Sequence, residues 1–96
     1  MTVLTITSER NDRIEPLLTS AIAAKLRMLE IGLRQTQARL AAFEQASKMS
    51  TADFIARYAR NDIAETLDTL EWLGEYRLMQ SIQDEVDALH ALRFND

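Results

Sequence analysis

The sequence predicts an all-α fold: a long antiparallel helical hairpin with a short helix at its bend, dimerising into a four-helix-type bundle, with a short strand or arm at the N-terminus. Three observations carry that expectation. The 96 residues include only two Gly and one Pro, so little interrupts the chain. Ala, Leu, Glu, Gln and Arg, which are good helix formers, dominate it. Leu18, Ile22, Leu26, Leu29, Leu33, Thr36, Leu40 and Phe43 recur at steps of four and three, which after the first step is a heptad seam.

The chain reads as one domain, residues 1–96, since this length suits a single small core. Residues 1–12 form the arm. Thr2–Thr7, TVLTIT, favours a short strand through its β-branched residues. The chain offers no second strand candidate, so the strand is expected to pair with its own copy or with another protein; the alternative is a loosely ordered arm. The long helix spans 13–47. Asp12 and Glu15 have capping-box spacing, and Pro16 is expected in the first turn, where its missing N–H does little harm. Only Gly32 weakens the rest, by about 1 kcal/mol relative to Ala. A rod of this length measures roughly 50 Å.

A second, weaker stripe, Leu17, Ala21, Ala24, Met28 and Ile31, runs beside the seam. Two adjacent stripes make a face too wide for one neighbouring helix. The N-terminal half is therefore expected to pack against two helices, one from another subunit. The oligomer seam is assigned to Leu18, Ile22, Leu26, Leu29, Leu33, Leu40 and Phe43. The short helix spans 50–58, with Ser50 as N-cap and Met49 and Phe54 placed for a hydrophobic staple. Arg60-Asn61-Asp62 marks a turn. The last helix, 68–93, is expected to start at Asp68 and carries Leu67, Leu70, Gly74, Leu78, Ile82, Val86 and Leu89 in helical spacing.

Composition narrows the chemistry. There is no Cys, which removes thiol nucleophiles, disulfides and Cys-ligated metals. The single histidine, His90, has no evident catalytic companion, and Gly32 and Gly74 are too isolated to form a phosphate loop. No catalytic residue and no cofactor is expected. The net charge of −4 is uneven: residues 1–47 carry +1 and residues 48–96 carry −5. That acidic half disfavours nucleic acid, which needs clustered Lys and Arg, and suits a basic protein partner attracted by its field. A ribbon-helix-helix reading fails because residues 1–9 lack Lys and Arg. No run approaches the length of a membrane span, so the expected location is the cytoplasm.

Two constellations remain. Glu65 with Asp68, and Asp84 with Asp87, are carboxylate pairs three residues apart of the type that holds Mg²⁺ in all-α nucleotide pyrophosphohydrolases. The first helix offers only Glu30 and Glu44 opposite them, and the preferred reading of the pairs is a solvated acidic face. Glu71, Trp72, Glu75 and Tyr76 would form an aromatic and acidic binding patch if exposed. The other reading places the two aromatics in the core against Phe54 or Phe43.

The order of elements, with the segments MSTADFIARY and DTLEWLGEY, resembles a group of short bacterial all-helical proteins of uncharacterised or antitoxin-like type. Its markers are Met49-Ser50-x-x-Asp53-Phe54 and Glu71-Trp72-x-Gly74-Glu75, and the resemblance covers most of the chain. Many such relatives have a Gly-rich turn where this chain has Ala59-Arg60-Asn61-Asp62. The resemblance implies an antitoxin-like binding protein. The function expected is thus a non-enzymatic protein–protein interaction module, with a homo-oligomer and a basic protein as its partners. The alternatives are an Mg²⁺-dependent nucleotide hydrolase and a purely structural coiled-coil oligomer.

Overall fold

The computed structural model describes residues 3–5 and 11–95, with side chains placed over 14–92. Three helices account for most of it: α1, Asn11–Ser47; α2, Thr51–Ala59; and α3, Leu67–His90. α1 and α3 run antiparallel side by side, with α2 across the bend. Among the described residues, no helix is long and apolar enough to cross a membrane.

α1 is one unbroken rod of 37 residues, roughly 55 Å long. It begins earlier than expected, so Pro16 lies inside the helix and not in its first turn. The helix tolerates it at the cost of the amide that would bond to the carbonyl of Asp12. Lys48 ends the rod in the left-handed region (φ 53), and the Met49 amide donates back to the Glu44 carbonyl at 3.2 Å. This geometry satisfies carbonyls at the helix end.

α2 starts where the staple places it. The Ser50 hydroxyl accepts from the Asp53 amide at 3.1 Å, and the Glu44 carboxylate accepts from the Thr51 amide at 2.7 Å. Two of the four orphan donors at this N-terminus are thereby paired. Met49 packs on the core that contains Phe54, as a staple requires. α2 ends at the expected turn, with Asn61 left-handed (φ 57) and the Asp62 amide donating to the Arg57 carbonyl at 2.8 Å. Asn is one of the few side chains that accept this conformation cheaply.

α3 corrects the expected boundaries at both ends. Thr66, not Asp68, is its N-cap: the Thr66 and Thr69 side chains each accept from the other's backbone amide. The helix stops at His90, before Arg93. Arg93–Asn95 is instead a short strand, β2, pairing in parallel with β1, Val3–Thr5. The expectation that no second strand exists in the chain is thus overturned: the antiparallel hairpin sends the C-terminal segment back towards the end of the molecule from which α1 starts. Thr2, Ile6, Thr7 and the approach to Asn11 lie outside the described residues.

The core sits at the bend. Phe54 is fully buried and Trp72 nearly so. Trp72 is sandwiched between Phe54 (ring centroids 4.1 Å apart, 4° between planes) and Phe43 (5.7 Å, 8°), so one stack ties all three helices together. Its indole Nε1–H donates to the buried Thr51 hydroxyl at 3.0 Å, which gives the polar edge of the ring a partner. Further along the hairpin, Thr36 and Leu40 of α1 and Leu73 and Val86 of α3 are buried, and Ile82 lies over Gly32. α3 covers part of the seam assigned to an oligomer: Thr36 and Leu40 are buried and Phe43 packs on the core, while Leu18, Ile22, Leu26, Leu29 and Leu33 are half-buried.

A Cβ at Gly32 would come 3.5 Å from Ile82 Cδ1, an ordinary contact. Gly32→Ala should therefore gain helix propensity of roughly 0.5–1 kcal/mol without a clash. The expected result is a melting temperature higher by several degrees, measured by circular dichroism.

Candidate functional site

When α1 and α3 have packed together, much apolar surface is left over. The chain exposes 6928 Å², whereas a compact monomer of 11.0 kDa exposes about 5,600 Å². Its radius of gyration is 18.7 Å, against about 12–13 Å for a globular domain of this length.

The surplus is concentrated on α1 and α3. On α1 it follows the second stripe: Leu17 is 69%, Met28 67% and Ile31 49% exposed, with Ala21 exposed between them and Ala24 half-buried. The same heptad steps continue through Gln35, Ala38, Ala42 and Gln45, all exposed. The rod thus carries a second complete seam that its own chain leaves open. On α3 the outward residues Leu67, Leu70, Gly74, Leu78 and Ser81 follow one another at steps of three and four, and Ala88 lies one heptad after Ser81; all are exposed.

Arg39, which follows Ala38, donates its Nε–H to both carboxylate oxygens of Glu75, which follows Gly74, at 2.7 and 2.8 Å. Lys25, which follows Ala24, lines a groove of about 220 Å³ together with Glu85, Ala88 and Leu89. The residues that border the two stripes therefore meet across α1 and α3, and the stripes flank this junction on either helix. The Arg39 side chain is half exposed, so the ion pair orients this edge and adds at most about 1 kcal/mol.

The sequence-predicted binding patch is only partly assembled. Trp72 is in the core and is unavailable to a partner; packing against Phe43 and Phe54, the reading preferred from the sequence, is the one observed. Tyr76 is half-buried against the same core, and its hydroxyl accepts from the Gln80 amide at 2.9 Å. Glu71 is exposed, and Glu75 is held by Arg39. The continuation of the second seam past Ile31 was missed. The stripe expected on α3 is divided: Leu67, Leu70, Gly74 and Leu78 are exposed, whereas Ile82, Val86 and Leu89 turn towards α1.

The four carboxylates considered for Mg²⁺ do not converge. Asp68 and Asp84 are sixteen residues apart on one straight helix, roughly 24 Å, whereas ligands of one ion lie within about 2.6 Å of it. Glu65 instead accepts from the Tyr58 hydroxyl at 2.9 Å, and Asp87 accepts from the Gln83 amide at 3.0 Å. Asp84 lines a shallow groove of about 340 Å³ with Met79, Gln80 and Gln83. Among the described residues, no group of three or more His, Asp or Glu side chains is placed to hold a metal.

The Tyr58–Glu65 bond joins α2 to the approach of α3. It pushes the Tyr58 hydroxyl above its ordinary value, because the carboxylate accepts the proton of the neutral form; burial and the negative charge of Glu65 act the same way, and Arg77 opposes them. Comparison with protein-family models, curated proteins and solved structures finds no match to this chain. Function must therefore be argued from the surface itself.

The tyrosine bond gives a measurable pH dependence. The Tyr58 pKa is raised in the folded state, so its contribution to stability is present below the unfolded value near 10 and is lost as pH rises through the higher folded value. In a Tyr76→Phe background, ultraviolet titration of the remaining tyrosine should have its midpoint above 10, and Glu65→Ala should lower it towards 10.

Proposed function

We propose that this chain is a non-enzymatic interaction module that works by packing the uncovered face of its α1–α3 hairpin against helices of another chain. One observation carries the reading: a full second heptad seam, from Leu17 to Gln45, lies open on a helix whose first seam is already occupied. Leaving Leu17, Met28 and Ile31 in water forgoes the transfer energy of large apolar side chains, about 1.5–3 kcal/mol each when fully buried. Contiguous exposed apolar surface of this kind marks sites of protein association.

An antitoxin-like role is part of this proposal. The resemblance of the sequence to short bacterial antitoxin-like proteins supports it, as does the acidity of α3, whose Asp68, Glu71, Asp84, Glu85 and Asp87 are all exposed. Such a surface would steer a basic protein into contact. The proposed setting is the cytoplasm, and the assembly completed on the hairpin is of four-helix type.

Met28→Glu combined with Ile31→Glu puts two charges into the seam without touching the core at the bend. The variant should keep the helicity and melting temperature of the isolated hairpin and lose association, both with itself, read by sedimentation, and with the product of a neighbouring gene, read by co-purification. Unchanged association in the variant would remove the face from the account.

A further inference from the structure

Resting on the reading that the hairpin face binds protein helices, we infer that its occupant is a second copy of this chain, placed with α1 over the partner's α3 about a two-fold axis parallel to the rods.

The first argument is area. Where α3 runs beside α1, the face is roughly 36 Å long and about 20 Å wide, so pairing would cover about 700 Å² per copy. A standard specific interface buries about 800 Å² per partner. The surplus accessible surface of the single chain is of the same order or larger.

The second argument is shape. Levels along the hairpin are fixed by the intrachain neighbours Gly32 with Ile82, Arg39 with Glu75, and Phe43 with Trp72. A two-fold axis along the rods keeps those levels, so each α1 residue meets the partner's α3 at the height of its own neighbour. Met28 and Ile31, the large residues of the α1 seam, then fall beside the small Ser81 and Ala88 of the partner subunit. Leu78 falls between Gln35 and Ala38, and Leu70 between Ala42 and Gln45, of the partner subunit. Ser81, Ala88, Ala38 and Ala42 thus leave room beside the large residues of the facing helix, with Gln35, Gln45 and Glu85 at the same levels.

Gly74 supplies the third argument. It is exposed in the middle of α3, and nothing lies within 4 Å of the position of its Cβ. A mid-helix glycine costs about 1 kcal/mol relative to Ala, and the hairpin gives no reason for it. In the proposed pair, Gly74 is level with the partner's Ala38 and the partner's Ala42, where three residues of minimal size let two backbones approach.

Charge selects this arrangement over its rival. Arg27 and Arg34 border the α1 seam on its outer edge and are exposed. Packing α1 against the partner's α1 in antiparallel fashion would bring these cations together. Over the partner's α3 they bracket the level of Asp84 of the partner subunit. Arg77 shares that edge of α3 with Asp84, so the two arginines meet one cation and one anion there, against two cations in the rival arrangement. Like charges facing across a helical seam are the usual means of excluding a register.

Sedimentation of the full chain across the micromolar range tests the inference. The expected mass is about 22 kDa, twice the 11.0 kDa chain. Gly74→Leu should leave the melting temperature of the dilute chain unchanged or higher, yet return the mass to that of one chain. Arg27→Glu with Arg34→Glu, and Asp84→Lys with Glu85→Lys, should each be monomeric alone and form a dimer of about twice the chain mass when mixed. A monomeric parent chain overturns the inference, as does a dimer that survives Gly74→Leu or charge-reversed variants that stay apart on mixing. A monomer that still binds another protein, and loses it with Met28→Glu and Ile31→Glu, overturns the second copy alone; a monomer that binds nothing overturns the functional reading as well.

Discussion

One helix can bury one stripe against one neighbour; α1 carries two stripes, and its chain supplies a single long neighbour. Most of the molecule follows from that shortage. α3 takes the seam that passes through Thr36, Leu40 and Phe43, and the stripe from Leu17 to Gln45 is left to solvent. The intrachain core that remains is small and gathered at the bend. There the stack of Phe43, Trp72 and Phe54 holds three helices with large apolar rings and one buried hydrogen bond to Thr51. Away from the bend, half-buried leucines and a few edge contacts hold α1 to α3. A domain of this size has little stability in hand, so association through the open face would serve stability and function together.

The bend works because its local signals agree. Lys48 reverses the chain, Ser50 and Glu44 pair the first amides of α2, and Met49 and Phe54 clamp the entry. Asn61 and the Thr66–Thr69 box do the same between α2 and α3. These caps let nineteen residues, Lys48 to Thr66, return the chain on itself while burying the largest rings. They also fix the heights at which α1 and α3 meet, and hence the alignment of the two outer stripes.

The all-helical hairpin was legible in the sequence because its causes are local: heptad spacing in α1 and staple chemistry at Met49–Phe54. The assignment of the seams was not legible. Periodicity reveals that a stripe is apolar but not which helix covers it, so it did not separate the Thr36–Phe43 end of the seam, which α3 covers, from the half-buried leucines before it. The cap of α3 was misplaced for a similar reason. Asp68 with Glu71 and Thr66 with Thr69 both have capping spacing, and only the three-dimensional path selects the threonines. The pairing of Val3–Thr5 with Arg93–Asn95 joins segments almost a full chain length apart, and no local pattern could report it. Of the candidate site, the exposed stripe through Met28 and Ile31 was visible as a pattern, and so was the run from Leu67 to Leu78, but spacing alone joined that run to Ile82, Val86 and Leu89, which face the other way.

The central claim is that the open seam of α1 is covered by another chain. Methionine oxidation followed residue by residue reads this directly, since Met28 is 67% exposed in the single chain and Met49 and Met79 are half-buried. Met28 should oxidise fastest in dilute solution and become protected as concentration, or an added partner, drives association, while Met49 and Met79 change little. Oxidation of Met28 at one undiminished rate under all of these conditions would contradict the account.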